Sequence, residues 1–131
     1  MTKNTIVVAT AAIAIVAIAA LLTSQDNPTE QLMRVKRDYA HRLLDAVVQE
    51  DFAAVREQAF RLKTIAETSD WKAIDSPEYV RRSDAFVAAT VRLVEAARER
   101  QGDAVALAYM DLTLKCVQCH RYLKNTTSTP D

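Results

Sequence analysis

Apolar residues recur at intervals of three and four along most of this chain, the spacing that brings side chains to one face of an α-helix. Four such stripes follow one another. In order, they comprise Met33, Ala40, Leu44 and Val47; Phe52, Val55, Ala59, Leu62 and Ala66; Tyr79, Ser83, Phe86, Thr90, Leu93 and Ala97; and Val105, Tyr109, Leu112, Cys116 and Cys119. An isolated helix could not bury its stripe, so the sequence predicts an all-α fold, an antiparallel four-helix bundle around a common core.

Local signals mark where the helices begin and end. A capping residue precedes each start, and proline stands at the first helical position of two of them: Asn27 before Pro28, Asp51, Ser76 before Pro77, and Asp103. We expect the first helix to end near Glu50 and the second near Thr68. Gly102, the only glycine, is predicted to stop the third helix in a left-handed cap, the conformation that costs glycine least.

The start of the chain is of a different kind. Residues 5–22 carry no charge and consist of Ala, Ile, Val, Leu and Thr, with Lys3 ahead of them. This stretch exceeds a signal-peptide core of about 7–15 residues and just reaches the length that spans a bilayer, so both a signal peptide and a retained anchor are consistent with it. Lys3 favours the cytoplasmic side, which predicts a periplasmic or otherwise extracytoplasmic domain. The predicted division is residues 1–24, signal or membrane anchor, and residues 25–131, the helical bundle.

Composition agrees with a helical protein and excludes one class of partner. Glycine occurs once and proline three times in 131 residues, so few positions interrupt a helix. Basic and acidic residues are equal in number and the formal net charge is zero. The chain therefore lacks the broad basic surface that would indicate nucleic-acid binding.

Both cysteines and one of the two histidines lie in the segment Cys116-Val117-Gln118-Cys119-His120. C-x-x-C-H is the attachment signature for c-type haem, in which each thiol adds to a vinyl group of the porphyrin and the adjacent imidazole binds the iron. Residues i, i+3 and i+4 of a helix project the same way, so Cys116, Cys119 and His120 can reach one flat cofactor. The predicted cofactor is a single covalently bound haem c.

Two other uses of this motif fit less well. A structural zinc site usually has four Cys or His ligands, whereas three lie together here and His41 belongs to a different helix. Thioredoxin-like C-x-x-C motifs occur in a βαβ setting, which this sequence lacks. A zinc-stabilised interaction bundle or a dithiol redox protein remains the expectation only if no haem is attached.

Over about residues 28–125 the chain resembles the cytochrome c′ family of four-helix-bundle c-type cytochromes. The resemblance rests on a methionine near the start of the first helix, on aromatic and small residues along the third, on C-x-x-C-H in the last helix and on a basic residue one turn after it. These are Met33; Tyr79, Phe86, Leu93, Ala96 and Ala97; Cys116, Cys119 and His120; and Lys124.

The resemblance implies a haem between the first and last helices, with His120 as proximal ligand and Met33 facing the other side of the iron. It also implies redox partner proteins and pairing of two copies through their first two helices. Members of the family often carry an arginine one turn before this methionine, where it meets a haem propionate. Here that place is Thr29, and Lys36, Arg37 or Arg34 could substitute.

Two functions remain open from the sequence. If His120 and Met33 both bind, the iron has no vacant site and the protein suits one-electron transfer. If Met33 fills the core instead, the open distal face would bind small gases such as NO or CO. Met110 is predicted to pack in the core and His41 to lie at the surface. Trp71 is predicted either to plug the end of the bundle or to cover a haem edge. No distal acid, base and arginine suggest peroxidase chemistry, so we expect no enzymatic activity.

Overall fold

The computed structural model describes residues 28–68 and 74–127, which form four α-helices with no strand among them. In chain order these are α1 (Pro28–Val48), α2 (Phe52–Glu67), α3 (Pro77–Arg98) and α4 (Gly102–Thr127). Consecutive helices pack on one another and α1 also touches α4, which is consistent with the predicted four-helix bundle. Residues 1–24 and Trp71 lie outside the described residues. Among residues 28–68 and 74–127, no helix has the length and hydropathy of a membrane span.

The apolar stripes of α2 and α3 form the centre of the core, as predicted. Every member of the α2 stripe is buried, and so is every member of the α3 stripe except Ser83, which is half-buried. On α4, Val105 and Leu112 are buried, while Tyr109, Cys116 and Cys119 pack partly buried against this core. Full burial of one large apolar side chain stabilises the fold by about 1.5–3 kcal/mol, so these stripes supply most of the driving force for packing.

Two of the predicted capping residues make their expected hydrogen bonds. The Asp51 carboxylate accepts a bond from the Ala54 N–H at 3.0 Å, and the Ser76 hydroxyl accepts one from the Tyr79 N–H at 3.1 Å. The Ser76 hydroxyl also lies 2.9 Å from the Tyr122 hydroxyl, which joins the start of α3 to the end of α4. The bonds from the Ala54 and Tyr79 amides satisfy donors that a helix leaves unpaired at its N-terminus.

The prediction for Gly102 is wrong. Helix α3 ends at Arg98, the left-handed residue is Arg100 with φ of 55°, and Gly102 is instead the first residue of α4. Asp103 consequently lies in the first turn of α4 rather than capping it. A Cβ at Gly102 would meet the Glu50 carboxylate, which is the flexible end of an exposed side chain and can move aside.

The prediction for Met110 is also wrong. Met110 is 67% exposed, because it belongs to a second apolar stripe that faces away from the core on α4. This outer stripe consists of Leu107, Met110, Leu114 and Val117. Its members alternate in sequence with the inward-facing residues, so exclusion of Met110 as a distal ligand does not make it a core residue.

Candidate functional site

A pocket of about 310 Å³ lies mainly among α1, α3 and α4, with one lining residue from α2. It exists because α1 and α4 touch only sparsely, whereas the other neighbouring helices pack closely. Helix α1 contributes Met33, Lys36, Arg37 and Ala40; α2 contributes Leu62; α3 contributes Arg82, Ser83 and Phe86; and α4 contributes Tyr109, Leu112, Thr113, Lys115, Cys116, Cys119 and His120. The volume is within the roughly 300–1,000 Å³ range of small-molecule and cofactor sites.

The four residues predicted to hold a cofactor all line this pocket. Cys116, Cys119 and His120 lie on α4, where helical spacing brings them to one side. Met33 lies on α1, partly buried and packed against the core. Both thiols are partly buried, and His120, an exposed residue, lies at the rim. The motif on the last helix and the methionine on the first therefore share one cavity.

The two cysteines are free thiols. Burial raises the pKa of the Cys116 thiol and of the Cys119 thiol, although the nearby Lys36 cation opposes part of that increase. Both groups consequently remain protonated at neutral pH. Uncharged thiols suit an apolar pocket, and they leave α4 able to accept an apolar ligand without placing thiolate charge against it.

Lys36 has an unusual environment for a lysine. Its Nζ lies 4.1 Å from the centroid of the Phe86 ring, on the pocket wall. Burial lowers the pKa of Lys36 to about 8, while Cys116 and Cys119 partly offset this by favouring the cation. Sequence reasoning considered Lys36 only as a partner for a propionate, because hydropathy assigns a lysine to the surface.

The charged residues that line the pocket are all basic. They are Lys36, Arg37, Arg82 and Lys115, and no carboxylate is among the described lining residues. The rest of the wall is mainly apolar. An apolar cavity edged by cations fits a flat apolar molecule that carries carboxylates, which is the chemistry of haem with its two propionates. Of the proposed substitutes for the missing arginine, Lys36 and Arg37 line the pocket, and Arg34 is not among the lining residues described.

Arg82 is a pocket residue that sequence reasoning missed. Its guanidinium bonds Glu78 at 2.6 Å and the Gln118 carbonyl at 3.3 Å, and its Cζ lies 5.0 Å from the centroid of the Tyr122 ring. Its Nε is buried and has no hydrogen-bond partner. A buried donor without an acceptor costs roughly 1–3 kcal/mol, so a carboxylate-bearing ligand would relieve this cost. The sequence offers only a weak indication that Arg82 faces the pocket: it precedes Phe86, a member of the inner α3 stripe, by one helical turn.

His41 and a site for a metal ion such as zinc are the remaining candidates from the sequence. His41 is exposed, as predicted, and is not among the described residues that line it. In residues 28–68 and 74–127, no three His, Cys, Asp or Glu side chains converge as a metal-ligand set. A zinc site built from such residues would therefore require rearrangement, whereas haem needs only one imidazole from this group.

Comparisons with protein-family models, with curated proteins and with solved structures found no match to this chain.

Proposed function

We propose that this chain is a c-type cytochrome, similar to the cytochrome c′ family, that carries one haem and transfers single electrons. In this proposal Cys116 and Cys119 would attach the haem, and His120 and Met33 would bind its iron. The observation that carries it is the common pocket: the C-x-x-C-H motif on α4 and Met33 on α1 line the same cationic, mainly apolar cavity.

The thiols are suited to covalent attachment. Each S–H would add across a vinyl double bond of the haem, so that one carbon would gain sulfur, the other would gain hydrogen and no external oxidant would be consumed. Protonated, partly buried thiols lie next to the cavity, and they are free rather than joined as a disulfide. Two covalent anchors on one helix would fix the ring close to His120.

The remaining pocket residues determine how the cofactor would be held. Leu62, Phe86 and Leu112 offer apolar contact to a ring, while Arg37 and Arg82 offer positive charge to its carboxylates. When bound, haem supplies a one-electron couple whose potential a methionine ligand raises. The described part of the chain offers a rigid core behind this site and an exposed rim at His120 through which an electron could pass to a partner protein.

The proposal includes a location outside the cytoplasm, with residues 1–24 as a signal peptide or membrane anchor. This follows from the apolar segment 5–22 behind Lys3 and from the redox setting in which haem c is attached. The proposed partners are soluble or membrane-bound redox proteins and a second copy of the chain. No enzymatic activity is proposed.

Mass spectrometry of protein from a host able to attach haem c tests the proposal. We expect the mature chain to carry the mass of one haem and to keep its colour after acid–acetone extraction. The double variant Cys116→Ala, Cys119→Ala should lose both properties while keeping its helical circular dichroism. Colour that is extracted from the unaltered protein would contradict covalent attachment.

Absorption spectroscopy tests the Met33 ligand. The oxidised protein should show a weak near-infrared sulfur-to-iron band, and Met33→Ala should abolish it. Met110→Ala is the matched control, because Met110 is 67% exposed on the outer face of α4 and should leave the band unchanged. A high-spin spectrum in the unaltered protein would contradict methionine ligation and favour a five-coordinate protein that binds NO or CO.

A further inference from the structure

We infer that Lys36 is a second distal ligand of the haem iron, whose amine nitrogen competes with the Met33 sulfur for the position opposite His120. This inference rests on the proposed function and names a residue that the C-x-x-C-H motif does not indicate. Its consequence is that the distal face has two internal ligands, which would keep small gases from an open iron site.

The position of Lys36 on α1 supports the inference. Met33 and Lys36 are one helical turn apart and both line the pocket, so the same wall presents a thioether and an amine. Ala40, one turn further along, contributes only a methyl group to this wall. A long flexible side chain beside a small one has room to reach across a ring.

The direction of the Lys36 side chain distinguishes this role from pairing with a propionate. Its Nζ lies over the Phe86 ring and is close enough to Cys116 and Cys119 for each sulfur to affect its charge. In haem the two vinyl groups occupy one half of the porphyrin and the two propionates the other half. An amine close to both thiols would therefore be nearer the vinyl groups of a bound haem than its carboxylates, so Lys36 is poorly placed to pair with a propionate.

The environment also makes the neutral amine, the form that can bind a metal, more accessible than it is in an ordinary lysine. Only the neutral amine has a lone pair, and burial lowers the pKa of Lys36 to about 8. Cys116 and Cys119 favour the cation only through thiolate charge. Thioethers carry no such charge, so haem attachment would remove this opposing effect.

Lys115 provides a matched control on the same pocket. It is the other lysine among the described lining residues, but it lies on α4, the helix that carries His120. Its Nζ is 3.0 Å from Asp111, an ion pair that holds it along its own helix. A ligand from α4 cannot readily reach the face of the iron opposite His120, so removing Lys115 should not change the distal ligand.

The test uses electron paramagnetic resonance and near-infrared spectra of the oxidised, haem-bearing protein. We expect Met33→Ala to lose the sulfur-to-iron band and to stay predominantly low-spin, with a nitrogen ligand in place of sulfur. The double variant Met33→Ala, Lys36→Ala should become predominantly high-spin. The double variant Met33→Ala, Lys115→Ala should stay low-spin like Met33→Ala alone.

A high-spin Met33→Ala protein, or a low-spin Met33→Ala, Lys36→Ala protein, would overturn the Lys36 assignment. Met33→Ala, Lys36→Gln keeps a side chain of similar length and serves if the alanine variant does not fold, as judged by circular dichroism. Mass spectrometry of each sample distinguishes failure of the Lys36 assignment from failure of the proposed function. Covalent haem with the wrong spin state refutes only the Lys36 ligand, whereas an unaltered chain without covalent haem refutes the proposed function itself.

Discussion

The two sides of this bundle are built from different kinds of residue. Where α2 meets α3, the contact residues are small or apolar, and Ala59, Ala89 and Leu93 are completely buried. Even the buried hydroxyl of Thr90 is satisfied, since it donates to the Val87 carbonyl at 2.6 Å. We call this the closed side. Where α1 faces α4, the open side, the helices instead enclose a pocket lined by thiols and cations.

The difference separates stability from function. Residues on the open side carry costs: Lys36 is desolvated, and the buried Nε of Arg82 lacks a hydrogen-bond partner, a property shared among the described side chains by Gln58 Oε1 on α2. Lys36 and Arg82 both line the pocket in which a ligand is expected to bind, whereas Gln58 is not among its lining residues. The closed side provides the stability that tolerates these costs. Substitutions on the two sides should therefore have opposite consequences.

The largest effect is expected from Leu93→Ala on the closed side. Leu93 is completely buried, so truncation leaves a cavity and should lower the free energy of unfolding by about 2–5 kcal/mol. Urea unfolding followed by circular dichroism measures this change. Leu107→Ala is the control, because Leu107 is 68% exposed and should change stability by less than about 0.5 kcal/mol. Equal effects of the two substitutions would refute the burial argument.

The next largest effect is expected from Lys36→Met on the open side of the haem-free protein. Unlike Leu93→Ala, this substitution should raise the free energy of unfolding. The folded state holds the pKa of Lys36 at about 8 against 10.5 for an ordinary lysine, so charged Lys36 destabilises the fold below pH 8. Methionine should raise the free energy of unfolding there, by at most about 3 kcal/mol.

The pH dependence of this difference is the sharper measurement. Between pH 8 and 10.5 the unfolded lysine binds more protons than the folded one, so the unaltered protein gains stability with pH and the advantage of Lys36→Met shrinks. Loss of Lys36 also raises the pKa of the Cys116 and Cys119 thiols further, because the cation no longer opposes burial, and this lowers the stability of the variant at high pH and so shrinks its advantage as well. An advantage that stays constant from pH 7 to 10.5 would contradict desolvation as the cause.

The smallest effect tests how α4 is held to the closed side. Ser76→Ala removes both the cap on the Tyr79 amide and the bond to the Tyr122 hydroxyl, and should cost about 1–2 kcal/mol in thermal or urea unfolding. Tyr122→Phe removes only the second bond and should cost less. If the two substitutions had equal effects, the cap would contribute nothing.

The sequence predicted the closed side better than the open side. The α2 and α3 stripes, and the caps at Asp51 and Ser76, depend on helical periodicity and local hydrogen bonds, which short stretches of sequence encode. The inward direction of Lys36 is not a local property. It depends on the space that α1 and α4 leave between them, as does the burial of Arg82.

Three predictions fail because the placement of one helix against another decides the outcome. Leu44, predicted for the inner stripe of α1, is 46% exposed, and its neighbour Leu43 is buried instead. Met110, excluded as a distal ligand and therefore predicted to pack in the core, faces outward on α4. Gly102 is predicted to form a left-handed cap because glycine favours that conformation, whereas Arg100 adopts it and Gly102 begins α4.

The sparse contact between α1 and α4 bears on the order in which the molecule assembles. The pocket joins the first described helix to the last, so its closure brings together the most distant parts of the described chain and carries the largest loop entropy. All three pairs of neighbouring helices, α1 with α2 included, can pack beforehand. We therefore expect the contact of α1 with α4 across the pocket to form last. A prosthetic group already bonded to α4 would give α1 a large apolar surface on which to complete it.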